Sequence, residues 1–255
     1  MTAPVPAPVA AVAFDLDGTL VDLERCHHDA WLAAARQAGV TLTREEAPHR
    51  LPHLVGGPDP LVAAEIAALS PSGATAAGIL AAKHPAFDAL VGRVPQIVPR
   101  AGVRTVLEGL RTRGVPLAVG TATERDTALA VLRRAGLLEL FGETRVVAAG
   151  DVPRLKPAPD VYLATARLLG VAPDRQLVFE DSATGAAAAR AAGCPVVAVP
   201  TVHDPDYLRR FPELGAVAVA GDWADPALAA LLGRLLGDGT DSATSATVRA
   251  AYVRA

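Results

Sequence analysis

Two carboxylates, Asp15 and Asp17, stand two residues apart at the end of an apolar run, Val9 to Phe14, and Gly18 follows them. Side chains two apart on an extended chain point the same way, so both acids could face one ligand. A solvated turn is the other reading, because Asp-Gly pairs mark turns. Further along, Thr121 closes the apolar run from Val115, Lys156 precedes Pro157, and Glu180-Asp181 follow the run Gln176 to Phe179. Carboxylates at Asp15 and Asp181 could hold a hard cation such as Mg²⁺, which prefers about six oxygens and keeps waters and phosphate among them. A Thr hydroxyl and a Lys ammonium both suit phosphoryl oxygens. One carboxylate can attack phosphorus. A second can protonate the leaving oxygen and then deprotonate the attacking water. Taken singly, each signal has a bland reading: Thr121 as a strand end or helix N-cap, Lys156 as an extended pre-proline residue, Glu180-Asp181 as an exposed turn.

The elements that must position these groups follow from periodicity. Apolar positions at helical spacing run from Leu23 to Gly39, Leu61 to Leu69 and Ile79 to Leu90, while Pro48, Pro52, Pro58 and Pro60 break the stretch between the first two. Only helices are expected from about Asp22 to Gln96. After a Pro-rich linker, helix and strand patterns alternate: helices over 103–113, 124–135, 159–169, 183–192 and 226–236, strands over 115–121, 146–149, 176–179, 195–199 and 216–219. Such alternation predicts a parallel sheet covered on both faces. In that arrangement the C-terminal ends of the strands lie along one edge, where ligands bind. Asp15, Thr121, Glu180 and Asp181 would then converge.

Bulk properties narrow the function. The chain has 255 residues, 51% of them hydrophobic, enough for a core domain and a smaller second one. A net charge of −3 offers no basic surface for nucleic acid or an anionic membrane. No apolar run reaches the roughly 20 residues of a membrane span. The N-terminal stretch Met1 to Pro8 lacks the basic start of a signal peptide, and Cys26 and Cys194 form no metal or redox pattern. A cytoplasmic protein is expected, monomeric or a small homo-oligomer, with a small phosphorylated molecule as its partner. Of 24 basic residues only Lys83 and Lys156 are lysines. A compact ammonium is not equivalent to a planar guanidinium, which makes both lysines candidates for a site.

Asp15-Leu16-Asp17-Gly18-Thr19-Leu20-Val21-Asp22 fills every position of Asp-x-Asp-Gly-Thr-x-x-Asp, the first motif of the haloacid dehalogenase-like superfamily. Thr121 resembles the second motif, Lys156 to Tyr162 the third, and Val178 to Gly185 the fourth. The resemblance covers roughly residues 10 to 200. The helical insertion is similar to the cap of the branch that holds β-phosphoglucomutases and many sugar-phosphate phosphatases. The resemblance implies an α/β fold, a doubly wound Rossmann-like core with an inserted all-helical cap. The core would comprise 1–21 and 97–240, the cap 22–96, and a loose tail 241–255.

The same resemblance implies roles. Asp15 would be the nucleophile. Asp17 would be the general acid/base and would lend its backbone carbonyl to Mg²⁺. Thr121 and Lys156 would hold the phosphoryl oxygens. Asp181 would ligate the metal, with Glu180 beside it as a direct or indirect contributor. Gly18 would carry the movable turn, and Asp22, Ser182 and Gly185 would be architectural. Members that lack an acid at the Asp17 position include dehalogenases and phosphonatases, so Asp17 argues for phosphate esters. A Mg²⁺-dependent phosphatase acting through an aspartyl-phosphate is the expected function. The alternative is a phosphomutase similar to β-phosphoglucomutase. His27 and Trp31 fit that reading, but the loop Gly56-Gly57-Pro58-Asp59 lacks the Arg with which those enzymes grip a second phosphate. A non-catalytic binding protein on the same fold is a third reading, which the intact Asp15, Asp17 and Asp181 oppose. The cap is expected to close over substrate. Lys83, beside His84 and Pro85 near an expected helix end, would help to read it, with His27; a solvated helix-end Lys is the competing reading.

Overall fold

The computed structural model describes residues 9–54 and 57–237. Six parallel strands form one sheet: β1 (Ala11–Phe14), β2 (Leu117–Gly120), β3 (Val146–Val147), β4 (Gln176–Glu180), β5 (Val196–Ala198) and β6 (Ala218–Val219), in the order β3-β2-β1-β4-β5-β6. β1 pairs with β2 on one side and β4 on the other, with Phe14 opposite Val119 and Phe179. Every residue of β1, β2 and β4 is buried, as expected of strands covered on both faces.

The helices are α1 (Glu24–Gln37), α2 (Ala47–Arg50), α3 (Asp59–Leu69), α4 (Ala76–Arg93), α5 (Val103–Thr112), α6 (Arg125–Arg134), α7 (Leu138–Phe141), α8 (Asp160–Leu169), α9 (Ala183–Ala191), α10 (Pro205–Leu208), α11 (Arg210–Glu213) and α12 (Pro226–Leu235). Successive strand residues face opposite ways, and the sheet divides its core accordingly. Val12, Phe14, Val119 and Phe179 pack with apolar residues of α5, α6, α7 and α12. Ala13 and Val178 pack on the other face with α8, α9 and α11. The doubly wound parallel sheet expected from the helix–strand alternation is therefore present. Helices α7, α10 and α11 are absent from the expected set. Each is a single turn, too short to show helical periodicity.

Between β1 and α5 the chain makes one long helical excursion. It leaves at Val21 and returns at Pro99, and these two residues pair as an isolated antiparallel bridge. Along the excursion Trp31, Leu32, Ala35, Val62, Ile66 and Ile79 form a separate apolar cluster. α4 corrects one expectation. It runs through Pro85, so Lys83 lies well inside the helix and not near its end. Pro usually ends a helix because it lacks an N–H. Here the packing of α4 against α1 and α3 buries Ile79, Lys83, Phe87 and Val91 on both sides of Pro85, and tertiary context overrides the local signal. The reading of Lys83 as a solvated residue falls with it, because its side chain is 5% exposed. The expected tail 241–255, the stretch Met1 to Pro8 and Gly56 lie outside the described residues.

Candidate active site

The C-terminal edge of the sheet brings together the acids that the sequence separates by 165 positions or so. Asp15 leaves the end of β1, its N–H bonded to the carbonyl of Phe179. Glu180 closes β4, and Asp181 follows it. One carboxylate oxygen from each of Asp15, Glu180 and Asp181 lies within 4.8 Å of the others. Lys156 reaches into this cluster from the β3–α8 connection. Its ammonium donates to Asp15 Oδ1 at 2.5 Å and to Glu180 Oε1 at 2.6 Å.

Close contacts around Asp181 and Glu180 set the geometry. Gly18 has a φ of +83°, and a Cβ there would stand 2.0 Å from Asp181 Oδ2. Only glycine allows that turn and that approach together. Thr19 Oγ1 then donates to Asp181 Oδ1 at 2.9 Å. On the far side of the acids, a Cβ at Gly185 would fall 1.8 Å from Glu180 Oε1. Ser182 caps α9, accepting from Gly185 N at 3.0 Å, and donates to Glu180 Oε2 at 3.1 Å. Tyr162 donates to Glu180 Oε1 at 2.5 Å. Glu180 is thus fully buried and held on both oxygens by the protein, which suits it to position Lys156 and the cluster.

A Gly185→Ala variant is expected to melt lower, because the added methyl must displace a fully buried carboxylate. Overpacking of this kind costs about 1–3 kcal/mol. Gly92→Ala, in α4 with open space at its Cβ, is expected to keep or raise the midpoint, since Ala is the better helix former. Thermal denaturation of the two variants side by side checks this.

Electrostatics follow from burial. Desolvation pushes Asp15 up to about 7, although the Lys156 ammonium works against it. Asp181 is pushed well above the usual carboxylate range by burial and by the neighbouring charges of Asp15 and Glu180. Lys156 is raised despite its own desolvation, because Asp15 and Glu180 favour its charged form. Among the described residues this cluster sets three carboxylates against one ammonium. A divalent cation would supply the missing positive charge, and Asp15 and Asp181 are the acids best placed to hold it.

Asp17 sits differently. Its Oδ2 accepts a hydrogen bond from Thr123 Oγ1 at 2.5 Å and lies 3.8 Å from His27 Nε2. Burial raises Asp17, but His27, Thr123 and the charge of Lys83 outweigh it, and the net shift is downward. Its Oδ1 is buried and has no hydrogen-bond partner among the described residues. Asp17's carboxylate is not part of the three-acid cluster. Thr121 is buried beside it, its Oγ1 accepting from Thr123 N at 3.0 Å.

Asp15, Asp17, Thr121, Thr123, Lys156 and Asp181 open onto one cavity of about 460 Å³ between the sheet edge and the helical excursion. Its opposite wall is aromatic and charged. His27 stacks on Phe87 with centroids 4.0 Å apart. Lys83 Nζ lies 5.3 Å and 5.4 Å from the ring centroids of Trp31 and Phe87. The structure therefore places Asp15, Asp17, Thr121, Lys156 and Asp181 along one wall of the cavity, with Glu180 buried behind them, and His27 and Lys83 across it.

Sequence reasoning missed Thr123, Tyr162 and Arg100. Thr123 was findable, because it stands two residues from Thr121 and could share its face. Arg100 carried no local signal. It donates to the carbonyls of Gly18 and Val199, both at 2.5 Å, and so ties the returning linker to the turn that carries Asp17. Trp223 Nε1 holds the same turn through Thr19 O at 3.0 Å.

Comparison with known proteins adds an independent line. A family model described as haloacid dehalogenase-like hydrolase matches residues 9–193. The fructose-1-phosphate phosphatase YqaB of Escherichia coli is 34% identical over 190 residues, covering 74% of this chain and 96% of that protein. A phosphorylated carbohydrates phosphatase of Thermotoga maritima is 33% identical over 214 residues, 82% of this chain and 93% of that one. A crystal structure of CbbY from Rhodobacter sphaeroides in complex with xylulose-(1,5)bisphosphate superposes with a TM-score of 0.65 at 28% identity. It covers 85% of this chain and 96% of the other. No helix among the described residues is long and apolar enough to cross a membrane.

Proposed function

This chain belongs to the haloacid dehalogenase-like hydrolases, and from that premise we propose that it is a Mg²⁺-dependent phosphatase of sugar phosphates or similar small monoesters. The observation that carries the reading is the buried cluster of Asp15, Lys156 and Asp181 at the sheet edge beneath a cavity of about 460 Å³. The names of the phosphatase relatives support the substrate class.

In this reading a carboxylate oxygen of Asp15 attacks phosphorus. A new O–P bond forms, and the bond to the ester oxygen breaks. Lys156 holds Asp15 in place and, with Thr121, offers donors to the phosphoryl oxygens. Asp15, Asp181 and the Asp17 carbonyl would hold Mg²⁺, which would supply charge neutralisation for the phosphoryl group. The leaving oxygen takes a proton from Asp17, whose Oδ1 has no hydrogen-bond partner among the described residues and can carry it. Asp17 is held low in the free protein, so the proton it donates in the first step is taken up from solvent as the substrate binds. An incoming anionic phosphoryl group raises a neighbouring carboxyl and thereby favours the protonated form that the first step needs. In the second step Asp17 takes a proton from water, the water oxygen bonds to phosphorus, and the O–P bond to Asp15 breaks. Inorganic phosphate leaves and Asp15 is regenerated.

The helical excursion serves as a lid over the cavity, with Gly18 and the 95–99 linker as hinges. It keeps water out until the leaving group has gone. His27 and the Lys83–Asp59 pair are its contributions to the substrate side of the cavity. A phosphomutase would need a second phosphate to be gripped, and the start of α3 offers Asp59 where a cation would serve. Hydrolysis of p-nitrophenyl phosphate is expected to require Mg²⁺, to stop with EDTA and to return when Mg²⁺ is restored. Equal rates with and without chelator would contradict the metal assignment.

A further inference from the structure

The two ends of the cavity carry different charge chemistry. At the sheet edge Lys156 faces the phosphoryl position. On the side of the helical excursion three carboxylates, those of Glu24 in α1, Asp59 in α3 and Asp88 in α4, line the cavity with a single ammonium, Lys83. That ammonium is already engaged. Its Nζ donates to Asp59 Oδ2 at 2.8 Å and is packed between the rings of Trp31 and Phe87. The Lys83 side chain is 5% exposed, whereas that of Asp59 is 42% exposed. The acid, not the base, is the accessible half of the pair. Exposed acids alone would be screened by salt. The commitment of Lys83 to Asp59 is what fixes the sign of this end. An ionised carboxylate accepts hydrogen bonds and donates none. Hydroxyls and ammonium groups meet it well, and phosphate oxygens meet it as like charge.

We propose that Asp59 is a specificity-determining residue that excludes a second phosphate: the leaving group of the true substrate bears hydroxyl or amine groups and no second anionic group. The proposal rests on the phosphatase reading above. It adds a discrimination that neither the catalytic cluster nor the family assignment contains, since a relative of the same fold holds a sugar bisphosphate. Repulsive elements of this kind give specificity by penalising the wrong partner.

Competition with p-nitrophenyl phosphate in the presence of Mg²⁺ tests it, because any sugar phosphate that enters the cavity competes whether or not it is turned over. Fructose 1-phosphate is expected to inhibit with a constant at least about tenfold lower than fructose 1,6-bisphosphate, the like-charge penalty acting on the second alone. In Asp59→Asn the gap is expected to close to within about threefold, because Lys83 is freed and one negative charge is removed. In Lys83→Met the preference for the monophosphate is expected to persist, since the acids remain. Equal inhibition of the wild type by the two sugars, inhibition by neither, an unchanged gap in a folded Asp59→Asn protein, or loss of the preference in Lys83→Met would each overturn the proposal. The wild-type comparison needs no variant to fold. Absence of any p-nitrophenyl phosphate turnover in the wild type would instead remove the phosphatase reading, and this proposal with it.

Discussion

Asp15→Asn is expected to abolish turnover, lowering kcat by on the order of 10⁴-fold or more, as removal of a nucleophile does elsewhere. The argument is chemical. An amide cannot take the place of a carboxylate that must form and then release a bond to phosphorus. The fold should survive. Asn has nearly the same shape, and Lys156 keeps Glu180 as a partner at 2.6 Å. Burial already disfavours the charge on Asp15, so its removal relieves a desolvation cost as well as losing an ion pair. Circular dichroism and a thermal midpoint within a few degrees of wild type are expected alongside the lost activity. A folded Asp15→Asn enzyme with a near wild-type rate would contradict the assignment.

Asp17→Asn is expected to cost about 10²- to 10⁴-fold, the range for a positioned acid/base, and the loss should depend on the leaving group. An alkyl phosphate leaves as an alkoxide and needs the proton. p-Nitrophenyl phosphate leaves as a stable phenolate and does not. The variant should therefore lose far more on a sugar or alkyl phosphate than on the aryl ester. Asn still accepts a hydrogen bond from Thr123, so the local geometry is kept. Equal losses on the two substrates would mean that Asp17 acts through structure alone.

Much of the fold was legible because its signals are local. Apolar runs ending in Asp15, Thr121 and Glu180 mark strands that deliver polar groups to one edge, and glycines such as Gly39, Gly136 and Gly170 mark helix ends. The site was less legible where partners meet across the chain. Thr123 and Asp17 are 106 residues apart, and Arg100 and Val199 are 99 apart. No periodicity records such pairs. Lys83 shows the opposite error. The sequence puts Lys83 near a helix end, yet α4 runs from Ala76 to Arg93, its packing on α1 and α3 buries the helix on both sides of Pro85, and the lysine becomes a buried cation held by Asp59. Asp59 itself gives no sequence sign of that pairing, since an acid at a helix start is ordinary.

The central claim is that Asp15 carries the phosphoryl group between two half-reactions. It is tested most directly by quenching a single turnover with acid and mapping the phosphoryl label by mass spectrometry. The peptide that contains Asp15 is expected to gain one phosphoryl group, which hydroxylamine removes, and Asp15→Asn is expected to show none. A wild-type enzyme that turns over under the same conditions with the label on another residue, or with no covalent label at any quench time, would contradict the account.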